Sequence, residues 1–174
     1  MRKAVFLDRD GVINKAVVIS GKPYPPASLD AFEFIPGVVN AVVALRQAGF
    51  LIIVVTNQPD VATGLQTREV VESMHKLIID AGICDEIKVC YHTDDHNCGC
   101  RKPKPGMLLE AAKVWQIDLQ RSFMVGDRWR DVGAGKAAGC QTFFIDYKYQ
   151  EQSIESPDAI VASLEEASRQ ILQL

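Results

Sequence analysis

Asp8 and Asp10 stand one residue apart at the end of the apolar run Ala4-Val5-Phe6-Leu7, and Gly11 follows soon after. Two carboxylates this close repel each other unless a proton or a cation intervenes. A donor set made only of oxygens favours a hard ion such as Mg²⁺. A carboxylate can also act as a nucleophile and form an acyl phosphate. A solvated Asp-rich turn at a strand end has the same residues, so the pair alone leaves both readings open.

Two more apolar runs end in polar clusters. Phe50 to Val55 leads into Thr56-Asn57-Gln58, and Phe123-Met124-Val125 leads into Gly126-Asp127. Between them, Cys100-Arg101-Lys102-Pro103-Lys104-Pro105-Gly106-Met107 supplies fixed positive charge. Carboxylates, hydroxyl and amide donors and a lysine meet the needs of phosphoryl transfer, which wants charge neutralisation and positioning. On charge alone Lys102 and Lys104 are equal candidates.

Cys90-Tyr91-His92 and Cys98-Gly99-Cys100 form a second constellation. Three thiolates and one imidazole make a closed tetrahedral zinc set. A spacing of one residue suits extended backbone, where both side chains face one way. His96 is a rival imidazole, and a strand cysteine beside exposed loop thiols is the alternative. A closed set has no place for a reacting water, so its zinc would be structural and would tie down the loop that carries Lys102. Cys84 and Cys140 read as small buried residues. An odd total of five cysteines makes a poor disulfide framework.

These residues need elements to bring them together. The run Ala4 to Leu7 reads as a strand buried on both faces, and a parallel sheet gathers the carboxyl ends of its strands at one edge. Pro36-Gly37 opens a helix with Val38, Val39, Val42 and Leu45 inward, and Gly49 closes it. Thr67 caps a helix to about Asp80, with Met74, Leu77 and Ile78 inward and His75 at the surface. Glu86 to Tyr91 is a third strand, and Pro105-Gly106 starts a helix that runs to about Trp115. Arg130 to Ala138 is a short helix weakened by Gly133 and Gly135. Gln141 to Ile145 is a further strand, and Ser163-Leu164-Glu165-Glu166 is a capping box. Lys22-Pro23-Tyr24-Pro25-Pro26 reads as a rigid extended loop that could wall the site. The alternation predicts an α/β fold, a parallel sheet between helices with right-handed crossovers, as one domain over residues 1–174.

A chain of 174 residues can bury a sizeable core. A net charge of −3 gives no reason to expect a nucleic-acid partner. No apolar run is long enough for a membrane span, and the chain enters its first strand at once, so no signal peptide is expected. A cytoplasmic monomer is the resulting expectation.

In chain order, Asp8-Arg9-Asp10-Gly11, the strand ending at Thr56, the downstream lysine and Gly126-Asp127-Arg128-Trp129-Arg130-Asp131 resemble the four motifs of the haloacid dehalogenase-like (HAD) phosphatases. Asp8 through Asn14, Val55-Thr56-Asn57-Gln58 and the Cys-Arg-Lys-Pro-x-Pro-Gly-Met pattern at 100–107 resemble one branch more closely. That branch is the D-glycero-D-manno-heptose 1,7-bisphosphate phosphatases; the histidinol-phosphate phosphatases share much of the pattern. The resemblance covers roughly residues 3 to 146. It implies a capless, three-layer Rossmann-like HAD fold with a zinc-binding loop. It also implies Mg²⁺-dependent hydrolysis of a sugar phosphate, at the 7-position of the bisphosphate, through an aspartyl phosphate.

The resemblance further implies roles. Asp8 is the nucleophile and an Mg²⁺ ligand. Asp10 is the general acid and base, with its backbone carbonyl on the metal, and Asp127 completes the protein ligands. Thr56 and Lys102 hold the transferring phosphoryl group. Arg9, Asn57, Gln58, Arg101 and Arg128 contact substrate. Asp131 supports the metal site from behind or is simply a carboxylate at a helix start. Cys90, His92, Cys98 and Cys100 hold zinc, and Lys102 is preferred to Lys104. The chain departs from the branch at Pro59-Asp60 and Thr63-Gly64, both expected to border the substrate. The rival readings are a histidinol-phosphate phosphatase and a zinc-bearing scaffold without catalysis.

Overall fold

Apolar runs too short for a helix find their burial in a sheet. In the computed structural model, which describes residues 1–151 and 156–174, β1 (Ala4–Leu7) has all four side chains fully buried. Alternation sends Val5 and Leu7 to one core and Ala4 and Phe6 to another, on the opposite face. The stretch after the Asp pair holds a small antiparallel hairpin, β2 (Val17–Ile19) and β3 (Lys22–Tyr24), where an extended loop was expected. Its two-residue turn has Ser20 and Gly21 at positive φ, the geometry that matches strand twist. Pro23 is tolerated because a two-stranded ribbon has free edges on both sides.

α1 (Val38–Gln47) buries Val38, Ala41, Val42 and Leu45, while Val39 faces outward. β4 (Leu51–Asn57) follows and runs two residues past the apolar stretch. α2 (Arg68–Asp80) starts where Thr67 accepts a hydrogen bond from Val70 N at 3.3 Å. Its buried face is Val71, Met74, His75 and Ile78. Leu77 is partly exposed, and His75 is buried rather than on the surface.

β5 (Glu86–Cys90) and α3 (Gly106–Trp115) flank the cysteine loop. β6 (Phe123–Gly126) leads into α4 (Trp129–Ala138). The two glycines that weaken α4 as an isolated helix let it approach its neighbours. A Cβ on Gly133 would lie 2.8 Å from Pro103 Cβ, and one on Gly135 2.7 Å from Met124 Cβ. β7 (Gln141–Ile145), β8 (Ala159–Val161) and α5 (Leu164–Ile171) complete the described strands and α-helices. Ser163 Oγ accepts from Glu166 N at 3.1 Å, but the Glu166 carboxylate returns to Ala162 N at 2.7 Å, one residue before the cap.

The six-stranded parallel sheet has the order β5-β4-β1-β6-β7-β8. α1 and α5 contribute to one core, α3 and α4 to the other. From β1 the chain steps outward through β4 to β5, then returns to the other side of β1 and steps through β6 to β8. That reversal opens a crevice at the carboxyl ends of β1, β4 and β6, where such sheets bind ligands. Among the described residues no helix is long and apolar enough to cross a membrane.

Candidate active site

Asp8 leaves β1 with its N–H bonded to Val125 O at 3.0 Å, so the neighbouring strand fixes it. Gly11, at φ +84°, turns the chain so tightly that a Cβ there would lie 1.9 Å from Asp127 Oδ2. This turn sets the directions of the two carboxylates, and they diverge.

Asp8 faces a buried lysine. Its Oδ1 accepts from Arg9 N at 2.8 Å and pairs with Lys102 Nζ at 2.9 Å. Lys102 Nζ also donates to Asp131 Oδ1 at 2.6 Å and to Val55 O at 2.7 Å. Burial alone would favour the neutral amine, but Asp131 and Asp8 outweigh it and hold the ammonium above its usual range. Lys104 instead turns to Asn97 Oδ1 at 2.7 Å on the exposed loop, which separates the two lysine candidates.

Asp8, Asp127 and Asp131 offer carboxylate oxygens that all lie within 4.8 Å of one another. Burial, joined by Asp131 and Asp10 and opposed by Lys102, pushes Asp8 up to about 7. Burial and the charges of Asp8 and Asp131 push Asp127 well above the carboxylate range. Tyr149 donates its hydroxyl to Asp127 Oδ2 at 2.9 Å, while Asp127 Oδ1 is buried with no hydrogen-bond partner among the described residues. An all-oxygen set with an unpartnered buried acceptor and mutual repulsion fits a hard divalent cation. Asp131 also accepts from Arg128 N at 3.0 Å, so it starts α4 as well as joining the cluster.

Asp10 turns the other way. Its Oδ1 accepts from Arg9 Nε at 3.2 Å, Arg9 Nη2 at 2.9 Å and Asn14 Nδ2 at 2.9 Å. Its Oδ2 accepts from Arg9 Nη2 at 3.0 Å and Gln58 Nε2 at 2.8 Å. Gln58 Nε2 also donates to Thr56 Oγ1 at 2.9 Å. Arg9 and Gln58 are buried behind Asp10, with their side-chain donors turned to its carboxylate. Thr56 is fully buried at the end of β4.

The cleft above these groups has a volume of about 230 Å³. Asp8, Asp10, Asn57, Lys102 and Asp131 line its depth. Lys22, Pro23, Tyr24 and Pro25 of the hairpin form a wall, and Pro59 and Asp60 border it. Arg101, Arg128 and Arg130 bring positive charge to the same opening. Asp94 anchors Arg101 Nε at 2.8 Å and Arg130 Nη1 at 3.1 Å; these bonds, Arg101 first, hold its carboxyl near 2. Arg128 pairs with Glu151. Asn57 bonds both backbone groups of Lys102, N and O, at 3.1 Å each and so ties β4 to the lysine loop.

The cysteine loop closes on itself. Cys90 Sγ lies 3.7 Å from Cys98 Sγ and 3.1 Å from Cys100 Sγ, and His92 Nδ1 lies 3.3 Å from Cys100 Sγ. A tetrahedron with metal–sulfur bonds of about 2.3 Å has edges of about 3.8 Å, so the four atoms are spaced to hold one ion. His96 is outside the set; its Nδ1 accepts from Thr93 N at 3.2 Å. Residues that the sequence did not mark as functional include His75, Tyr149 and Arg130, whereas Lys22 falls in the stretch expected to wall the site. Tyr149 lies beyond the stretch that carries recognisable motifs, and His75 was hidden by its helical context.

Comparison with known proteins agrees with this geometry. Residues 99–167 match the HAD-hydrolase-like family model. The D-glycero-beta-D-manno-heptose-1,7-bisphosphate 7-phosphatase of Pasteurella multocida is 42% identical over 149 residues, 79% of this chain and 78% of that protein. The enzyme of the same name from Vibrio cholerae is 40% identical over 153 residues, covering 81% and 79%. The crystal structure of D,D-heptose 1,7-bisphosphate phosphatase from B. bronchiseptica, complexed with magnesium and phosphate, superposes with a TM-score of 0.84 at 31% identity, covering 98% of each chain. The chain belongs to the HAD phosphatases, in the family of the D-glycero-β-D-manno-heptose-1,7-bisphosphate 7-phosphatases.

Proposed function

We propose that this enzyme removes the 7-phosphate of D-glycero-D-manno-heptose 1,7-bisphosphate, the β anomer being the one for which its relatives are named. The observation that carries the reading is the presence of two cationic zones in one cleft. Lys102 lies deep, beside Asp8, while Arg101, Arg128, Arg130 and Lys22 also line the opening. A substrate with two phosphates can use both zones, one for the reacting group and one for the spectator.

Asp8, Asp127 and the backbone carbonyl of Asp10 would hold Mg²⁺. Bound there, the ion supplies positive charge that keeps Asp8 ionised and offsets charge on the phosphoryl group. Asp8 attacks phosphorus through one carboxylate oxygen, with Arg9 N and Lys102 holding the carboxylate in place. The bond from phosphorus to the sugar oxygen breaks, and Asp10 gives that oxygen its proton. Water then attacks the aspartyl phosphate, Asp10 takes a proton from it, and inorganic phosphate leaves with Asp8 restored. Lys102 has spent its protons on Val55, Asp131 and Asp8, so it acts on the phosphoryl group through its charge. Thr56 has a hydroxyl hydrogen to donate, and Asn57 aligns the lysine loop.

Cys90, His92, Cys98 and Cys100 would hold a structural Zn²⁺. The reading takes the chain as one cytoplasmic domain over residues 1–174, active as a monomer, with no nucleic-acid or membrane partner. Histidinol phosphate would leave the second cationic zone without a partner. Phosphate release in the presence of Mg²⁺ from heptose 1,7-bisphosphate, heptose 7-phosphate and histidinol phosphate tests the proposal. The bisphosphate should have the highest kcat/KM and leave heptose 1-phosphate. A preference for histidinol phosphate would overturn it.

A further inference from the structure

We propose that His75 is a positioning residue for the acid–base carboxylate: it fixes the Arg9 guanidinium, which in turn fixes Asp10. The proposal rests on the reading of Asp10 as the general acid and base. Arg9 is fully buried, and a buried charge must have its hydrogen bonds satisfied. Nε and Nη2 are satisfied by Asp10. Nη1 points away from Asp10, toward His75 Nε2 at 3.3 Å. A guanidinium only donates, so Nε2 must accept, and the ring proton sits on Nδ1. Burial, aided by the Arg9 charge, lowers the imidazole to about 4, consistent with a neutral acceptor.

The contact joins two distant parts of the chain. His75 comes from the buried face of α2, beside Met74 and Ile78, and Arg9 from the turn after β1. Without the Nε2 acceptor, a buried N–H of a charged group is unsatisfied, and the guanidinium gains by rotating toward another acceptor. Rotation breaks the two-point grip on Asp10. Asn14 and Gln58 still hold the carboxylate, so the expected consequence is a shift in its aim rather than its loss. Proton transfer is sensitive to such shifts, whereas initial capture of substrate by the cationic groups of the cleft is not.

Three variants separate positioning from plain packing. His75→Gln carries a carbonyl oxygen that reaches about as far as Nε2. His75→Asn carries the same group one methylene short, and His75→Leu carries no acceptor. With saturating Mg²⁺ and heptose 1,7-bisphosphate, Leu and Asn should lower kcat about tenfold and leave KM within about twofold. Gln should keep kcat within about threefold of wild type. Melting temperatures are recorded alongside, because a purely structural histidine would move them without this split in kcat. If the Leu variant does not fold, the Gln and Asn pair decides. Wild-type kcat in the Asn or Leu variant, or equal loss in Gln and Leu, overturns the proposal. Asp10→Asn in the same assay keeps two failures apart. Retained turnover there removes the acid–base reading and this inference with it. Loss there with wild-type kcat in the His75 variants removes only the inference.

Discussion

Two carboxylates of the same type, one residue apart, come to occupy opposite environments. Asp8 shares a buried pocket with two other acids and one ammonium; Asp10 is wrapped by a guanidinium and two amides. Different surroundings are what allow one to be read as nucleophile and the other as proton carrier. The sequence exposes the acids but not their partners. Arg9 adjoins both, and nothing in its spacing says that its side chain turns inward. Tyr149 is likewise invisible as a partner, since 22 residues separate it from Asp127. Its hydroxyl holds Oδ2, while the buried Oδ1 has no partner among the described residues and can face a cation. Groups that orient metal ligands in this way typically change affinity about 10- to 100-fold when removed. Tyr149→Phe should therefore weaken Mg²⁺ binding about tenfold by isothermal titration, with kcat at saturating Mg²⁺ nearly unchanged. Equal Mg²⁺ affinity in the two proteins would show that Asp127 is held by packing alone.

At the scale of elements, the segment between β5 and α3 links the cysteine cluster to the buried ammonium of Lys102. Cys100 and Lys102 are two residues apart, and Arg101 between them donates to His92 O at 3.1 Å. Asn57 then clips the backbone of Lys102 to β4. This loop has little apolar packing of its own, so a metal in the cluster would stand in for a core. Cys98→Ser should yield protein without the one zinc per chain expected of wild type, measured by elemental analysis. Its kcat should fall about tenfold because the loop that carries Lys102 loses one of its two anchors, leaving Asn57 to hold the backbone alone. Wild-type protein that holds no zinc while fully active would rule out the staple. β1, β4 and β6 of the main sheet were legible because continuous apolar runs have few other outlets, whereas the three-residue β8 was given no place. The hairpin at Val17–Tyr24 was not, because three-residue strands are too short for a period to show and proline argues against a strand. On α2 the spacing from Val71 to His75 to Ile78 does fit one helical face. The polar type of His75 masked it, and Leu77 was given its place.

For the whole molecule, the reversal of strand order beside β1 concentrates acids from two strand ends in one crevice, and this concentration has a cost in stability that depends on pH. Without a cation, the native protein keeps Asp8 protonated up to about 7 and Asp127 well above the usual range. The unfolded chain releases the same protons near pH 4, so this cluster makes stability fall as pH rises from about 4 to about 7. His75 acts in the opposite sense. Its native pKa of about 4 lies below the unfolded value, so its contribution rises with pH between about 4 and 6.5. The two trends oppose each other in a metal-free melt. They separate when Mg²⁺ is added, because the cation competes with protons on the acids and not with the proton on His75. The gain in melting temperature on adding Mg²⁺ should therefore be small at pH 5 and large at pH 8. At a concentration about 100 times the dissociation constant, binding contributes about 2.7 kcal/mol. For a chain of this size that is a shift of about 5–10 °C. Thermal melts with and without Mg²⁺ at the two pH values measure it. A gain equal at both, or larger at pH 5, would mean that the ion binds somewhere other than among Asp8, Asp127 and their neighbours.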